Sequence, residues 1–235
     1  MDTFRTTNMT ATFQLWLSAS SICISFSHLL VNIINLAVRV NWYQLLAKHG
    51  INSEYDPQRF HAIIQHCKCH DSSSITALIF KSGRVVLTGG RTPRECQKAA
   101  IRICHRINYS VYKDLTTTRL RHFSVYRFKI ENVVCAFKCP HRLSISKMYE
   151  DYCRSPNQFN FEEMKAKMIY RPTHFTALRL LYKNSNRNLN IALMLFINGN
   201  VTLSGLKNLD DSRLFAQELY SRIMSKYILP SLLLS

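Results

Sequence analysis

The stretch Thr76-Ala77-Leu78-Ile79-Phe80-Lys81-Ser82-Gly83-Arg84-Val85-Val86-Leu87-Thr88-Gly89-Gly90-Arg91 reads as two β-strands joined by a tight turn at Lys81-Ser82-Gly83-Arg84. Period-two alternation leaves one face apolar apart from a hydroxyl, and such a face needs a cover. The pattern returns at Leu193-Met194-Leu195-Phe196-Ile197-Asn198-Gly199-Asn200-Val201-Thr202-Leu203-Ser204-Gly205. Phe80 matches Phe196, Gly83 matches Gly199, Val85 matches Val201, Leu87 matches Leu203 and Gly89 matches Gly205. After the first hairpin, Thr92 caps a helix, Pro93 takes its first position and Glu95 closes a capping box. Cys96, Ala99, Ala100, Ile103 and Ile107 then form one apolar stripe. After the second, a helix is predicted from Asp210 to Tyr227, with Leu214, Phe215, Leu219, Ile223 and Tyr227 apolar. A strand–turn–strand–helix unit occurring twice is an internal duplication.

Outward from the hairpins, a strand is expected over 29–40, a short helix from Trp42 to His49 ended by Gly50, and a strand from His61 to His66. Asn108 to His122 reads as a basic, threonine-rich connector, and a further strand starts at Tyr126. Asn184-Ser185-Asn186-Arg187-Asn188 is the expected tip of a long hairpin. These elements predict an α+β fold with an N-terminal extension over 1–27, a first repeat over 28–118 and a second, with an enlarged hairpin, over 119–235.

The chain has 235 residues, enough for two sub-domains with a real core, and 31 Lys and Arg stand against 14 Asp and Glu, a net charge of +17. Basic residues spread along the chain point to an anionic partner, nucleic acid before a membrane surface. Residues 11–38 lack charged side chains, but Gln14, His28, Asn32 and Asn35 interrupt a run that a bilayer span would need unbroken for about 20 residues. The eight cysteines fall mostly on apolar phases and read as reduced core residues. His66-Cys67-Lys68-Cys69-His70 lacks the second half that a zinc site requires. No nucleophile elbow, phosphate-binding glycine loop or His-Glu-x-x-His motif is present, and no acid/base pair stands out. An enzyme, a metal centre and a bound cofactor are therefore not expected.

Glu54-Tyr55-Asp56-Pro57-Gln58-Arg59-Phe60, the hairpin Thr76 to Gly89, Phe128-Lys129-Ile130-Glu131-Asn132-Val133-Val134, Cys139-Pro140-His141-Arg142-Leu143 and Met168-Ile169-Tyr170-Arg171 together resemble the TATA-box-binding protein family over residues 28–228. The resemblance implies a duplicated saddle: a curved antiparallel sheet of about ten strands, helices on the convex face and a DNA minor groove on the other. It also implies a nuclear transcription initiation factor that binds and bends A·T-rich double-stranded DNA as a monomer and recruits general transcription factors and the RNA polymerase machinery, with no membrane. An apolar strand surface suits the minor groove, where A·T and G·C differ mainly by the guanine amino group, and inserted phenylalanines unstack flexible steps.

Carried over position by position, Phe60 and Phe80 match one pair of inserted aromatics and Phe196 one member of the other. The remaining place falls on Lys165 without a gap, or on Phe161 if the loop shifts. Asn132 matches one of two central asparagines, and Leu29 occupies the other position. Thr88 and Ser204 match paired hydroxyls, while Leu78, Val86, Met194 and Thr202 fall on the groove floor. Phosphate contacts are implied for Arg59, Ser82, Arg84 and Arg171, with His66 and Asn200 in place of cations. Glu162-Glu163-Met164 matches the family's acidic bridging surface poorly. The alternative is a protein-interaction scaffold that keeps the saddle and has lost sequence-specific DNA binding.

Overall fold

The structure is a computed structural model that describes residues 4–19, 42–68, 74–112, 121–184 and 189–230. The expected strand over 29–40, Leu29, Cys69, His70 and the tip at 185–188 lie outside these residues. The chain divides into two compact units, one of residues 9–130 and one of 131–235 together with 1–8, called here the first and second unit. Among the described residues there are ten antiparallel strands, five ordered in each unit.

The first unit orders its strands β2 (Ser53–Glu54), β3 (Ala62–Lys68), β4 (Ser74–Phe80), β5 (Arg84–Gly90) and β1 (Arg5–Ala19), of which only the part from Met9 onward belongs to it. The hairpin β4–β5 forms as predicted, with Leu78 opposite Val86 and Thr76 opposite Thr88. Residues 5–19, read from sequence as part of an extension, instead pair with β5 as β1: Phe13 faces Val85 and Ala11 faces Leu87. A helix over 42–49 (α1) and α2 (Pro93–Tyr112) complete the unit. In the capping box, Glu95 N–H donates to Thr92 Oγ1 at 3.1 Å and Arg91 N–H to Glu95 Oε2 at 2.8 Å. The predicted stripe Cys96, Ala99, Ala100, Ile103 and Ile107 is buried, as are Ile63, Ile75, Ile79, Val85 and Leu87 on one face of the sheet. The buried Tyr43 of α1 donates its hydroxyl to Ile79 O at 3.1 Å and accepts Ile63 N–H at 3.1 Å. Burial, with the Tyr55 phenol close by, pushes the Tyr43 pKa up to about 12.

The second unit orders its strands β6 (Arg121–Lys138), β10 (Asn200–Leu206), β9 (Leu189–Leu195), β8 (Phe175–Asn184) and β7 (Lys165–Arg171). Only the part of β6 from Glu131 onward belongs to it. The connector is shorter than the sequence reading, because α2 runs on to Tyr112 and β6 starts at Arg121. Two helices, α3 (Ile145–Arg154) and α4 (Leu209–Arg222), cover one face. Helix α4 ends five residues earlier than predicted and a 3-10 turn, Met224–Tyr227, follows. Asn208 is its cap, accepting the N–H groups of Asp210 and Asp211 at 2.7 and 3.1 Å. Leu214 is exposed, while Phe215, Leu219, Ile223 and Tyr227 enter the core with Leu178, Leu180, Leu193, Leu195 and Val201. Among the described cysteines, Cys153 alone is exposed and none is bonded to another.

Candidate nucleic-acid interface

Because side chains alternate along a strand, helices cover one face of each sheet and the other face is left open. In the first unit the open face carries Ile64, Leu78, Val86 and Thr12 in one row, and His66, Thr76, Thr88 and Thr10 in the next. His66 Nδ1 lies 3.1 Å from Thr76 Oγ1. In the second unit the corresponding rows are Arg179, Met194, Thr202 and Ala136, and Leu181, Ala192 and Ser204. The predicted floor residues Leu78, Val86, Met194 and Thr202 and the hydroxyl residues Thr88 and Ser204 therefore all stand on open faces. The Thr202 hydroxyl oxygen is out of contact with water and without a hydrogen-bond partner.

At the end of the β3–β4 pair, Phe60 and Phe80 meet edge to face with ring centroids 6.3 Å apart at 68°. The β8–β9 pair ends in the same way: Phe175 and Phe196 meet at 6.1 Å and 69°. Phe60 is 42% exposed and Phe175 44%, so neither pair belongs to a core. Phe175 corrects the sequence reading, which placed this position at Lys165 or Phe161. Lys165 is on β7 opposite Lys183, and Phe161 is 3% exposed, packed on Phe215 at 5.3 Å beneath the Arg222 guanidinium. The available signal was the match of Phe175-Thr176-Ala177-Leu178 with Phe60-His61-Ala62-Ile63.

Register also relocates the counterpart of Asn132. A β-bulge at Gly205 separates the pairs Leu203–Cys135 and Leu206–Val133, and one at Gly89 separates Thr88–Thr10 from Gly90–Met9. Gly205 and Gly89 have φ of +106° and +103°, a region that favours glycine. Since Gly90 and Leu206 are equivalent, Met9 answers to Val133, and Asn8, not Leu29, answers to Asn132. Asn8-Met9-Thr10-Ala11-Thr12-Phe13 and Asn132-Val133-Val134-Cys135-Ala136-Phe137 share the asparagine and the phenylalanine. The Gly205 N–H donates to Asn132 Oδ1 at 2.8 Å. With its oxygen so engaged, the carboxamide keeps its Nδ2 hydrogens to donate elsewhere.

Around the aromatic pairs, Arg59 is paired loosely with Asp56 at 3.5 Å and its side chain is 89% exposed. Ser82 O accepts the Gln14 amide at 2.9 Å, and Arg84 is exposed beside it, opposite Gln14 on β1. Arg171 ends β7 and, with His174 and Phe175, borders a groove of about 500 Å³ whose floor includes Ile169, Leu181, Ala192 and Met194. Glu163 accepts a long hydrogen bond, 3.5 Å, from the buried Asn184 amide.

The fold and its two open, aromatic-ended faces define a duplicated α+β protein with a repeated open surface. The family described as "Transcription factor TFIID (or TATA-binding protein, TBP)" matches residues 30–109 and 127–227, and the chain belongs to that family. It is 27% identical over 195 residues to the TATA-box-binding protein of Tetrahymena thermophila, covering 81% of this chain and 66% of that one. With TATA box-binding protein-like 2 of Mus musculus it shares 30% identity over 182 residues, 75% of this chain and 43% of the mouse protein. It shares its fold with Methanococcus jannaschii TBP at a TM-score of 0.55 and 18% identity, covering 94% and 98% of the two chains. The family match starts at residue 30 and so leaves out β1.

Proposed function

We propose that this chain binds and bends A·T-rich double-stranded DNA through the minor groove, as a monomer in the nucleus, and there recruits general transcription factors and the RNA polymerase machinery. The observation that carries the reading is the pair of exposed phenylalanine couples, Phe60–Phe80 and Phe175–Phe196, alike in geometry and placed at equivalent ends of two open faces. Large apolar side chains left in water at matched positions suit wedges between base steps, where the cost of unstacking is offset by the surface gained.

Chemistry of the open faces supports the same ligand. Minor-groove edges of A·T pairs present only acceptors, whereas G·C adds an amino donor. The Asn132 carboxamide, fixed with Nδ2 as its remaining donor, suits the first and opposes the second. Thr10, Thr88 and Ser204 supply hydroxyls that either donate or accept, and Leu78, Val86 and Met194 contact sugars and base edges without discrimination. Arg59, Ser82, Arg84 and Arg171 take phosphates at the margins. A fluorescence titration of the full chain against an A·T-rich duplex, with energy-transfer probes on the two DNA ends, tests this. Binding with a shortened end-to-end distance is expected; binding without bending, or no binding, overturns it.

A further inference from the structure

The outer strands of the two units carry opposite charge on the open face. In the first unit, β2 supplies two residues, and its Glu54 stands opposite Ile64, with Asp56 exposed just beyond. In the second, β7 has seven residues. Its Lys165 stands opposite Lys183, Lys167 opposite Leu181 and Ile169 opposite Arg179. Lys165, Lys167, Arg179 and Lys183 are all exposed, and no carboxylate occupies a position on this face of β7, β8 or β9. Among the described residues, none of these four side chains makes an ion pair or hydrogen bond.

Like charges directly opposed across two strands destabilise the pair. The Lys165–Lys183 pair is therefore a standing cost in the isolated protein, relieved when an anion covers it. What kind of anion is indicated by the groove beside it. Ile169, Leu181 and Met194 line that groove with apolar surface, and Arg171 and Arg179 line it as well. Apolar surface beside cations matches a sugar–phosphate strand, whose deoxyriboses are apolar and whose charges recur along its length.

We propose that the open face of the β7–β8 pair binds the phosphate backbone of duplex DNA flanking the segment gripped by the phenylalanine and asparagine side chains. This rests on the DNA reading above and adds a second phosphate-binding strip, through Lys165, Lys167, Arg179 and Lys183. The footprint is longer on the side of the second unit, and the added phosphate contacts fix which way round the duplicated protein sits on a near-symmetric site.

The test compares the full chain with its Lys165→Gln/Lys167→Gln/Lys183→Gln variant on one A·T-rich duplex with long flanks. Every phosphate that the protein no longer neutralises makes the slope of log K against log salt shallower by about 0.9. The triple variant is expected to have a slope shallower by roughly 2 to 3 and to leave one flank, and one only, open to hydroxyl radicals. A Lys48→Gln/Lys98→Gln/Lys226→Gln control, with the same change of net charge, is expected to keep the wild-type footprint. Without DNA, Lys183→Gln is expected to raise the Tm. If the wild type binds and the β7–β8 variant keeps its slope and both flanks, the strip is not a phosphate site although the DNA reading stands. If the wild type binds no duplex, or binds an acidic peptide or RNA in preference, both fall.

Discussion

The two units hold their aromatic pairs alike and finish their sheets unlike, and the contrast separates what duplication preserved from what each copy acquired. Phe60–Phe80 and Phe175–Phe196 agree within 0.2 Å in centroid separation, 6.3 against 6.1 Å, and within a degree in angle, 68° against 69°. Bulge glycines recur at Gly89 and Gly205 with φ of +103° and +106°. At the outer edges the likeness ends, since a two-residue strand with Glu54 in one unit answers to a seven-residue strand with Lys165 and Lys167 in the other. The aromatic pairs and the bulges are held to one geometry in both copies. Edges are not.

The strongest break of this comparison is removal of one aromatic pair at a time. Burial of a phenylalanine contributes about 2 kcal/mol, so Phe60→Ala/Phe80→Ala and Phe175→Ala/Phe196→Ala should each weaken binding by roughly a thousandfold. Each should also abolish one of two kinks. End-to-end energy transfer reads this; unequal losses would mean that the pairs are alike in shape and not in use.

Next in size are the bulges. An added Cβ at Gly205 meets Asn190 O, and one at Gly89 meets Ser74 O, at φ values that L-residues rarely adopt. Gly205→Ala and Gly89→Ala should each destabilise their unit by about 1 to 3 kcal/mol, read as a lower Tm. Gly205→Ala should in addition loosen Asn132, whose oxygen the glycine N–H holds.

Asn8→Leu and Asn132→Leu should reduce discrimination against a G·C pair by about 1 to 3 kcal/mol apiece, each on its own side of the site. Competition against duplexes with one G·C pair moved through the centre measures it. An effect of Asn132→Leu alone would show that Asn8 is equivalent in register and idle in recognition.

The smallest difference is in alkaline stability. Tyr43 in the first unit and Tyr227 in the second are both pushed up to about 12, mainly by burial, Tyr227 with a hydrogen bond to Asp151 as well. A phenol with a raised folded pKa contributes stability that is whole below its unfolded pKa and disappears as pH rises through the folded one. Stability should thus decline from about pH 10 to about 12, and Tyr43→Phe should flatten part of that decline in chemical denaturation.

Much of the architecture is legible in the sequence because hairpins and capping boxes are local. Thr76 to Gly89 and Leu193 to Gly205 carry alternation and turn residues in one stretch, and Thr92, Pro93 and Glu95 mark a helix start within four positions. Two candidate site residues escape for a different physical reason. β1 is separated from α1 by residues 20–41, whereas β6 and α3 are separated only by 139–144. Equal spacing of the two repeats therefore begins the first one too late and passes over Asn8. Phe175 escapes because β7 and β8 are successive strands of the same alternation. Local pattern gives Met168-Ile169-Tyr170 the place that Leu178-Arg179-Leu180 in fact fills. Which strand pairs with β9 is decided by long-range register, not by any local preference.

The first residues of the described chain belong to its last-made part. Phe4 stacks on Phe137 at 5.7 Å beneath the Arg213 guanidinium, and Thr7 Oγ1 donates to Val134 O at 3.0 Å across 127 positions of sequence. On the ribosome, residues 4–8 emerge before any of these partners exist. Met9 to Gln14 pair with β5, whereas Phe4 and Thr7 contact residues of the second unit. Contacts of such long separation form late and slowly. Loss of Phe4 or Thr7 would accordingly be felt in the second unit, whose Phe137 and Val134 they contact.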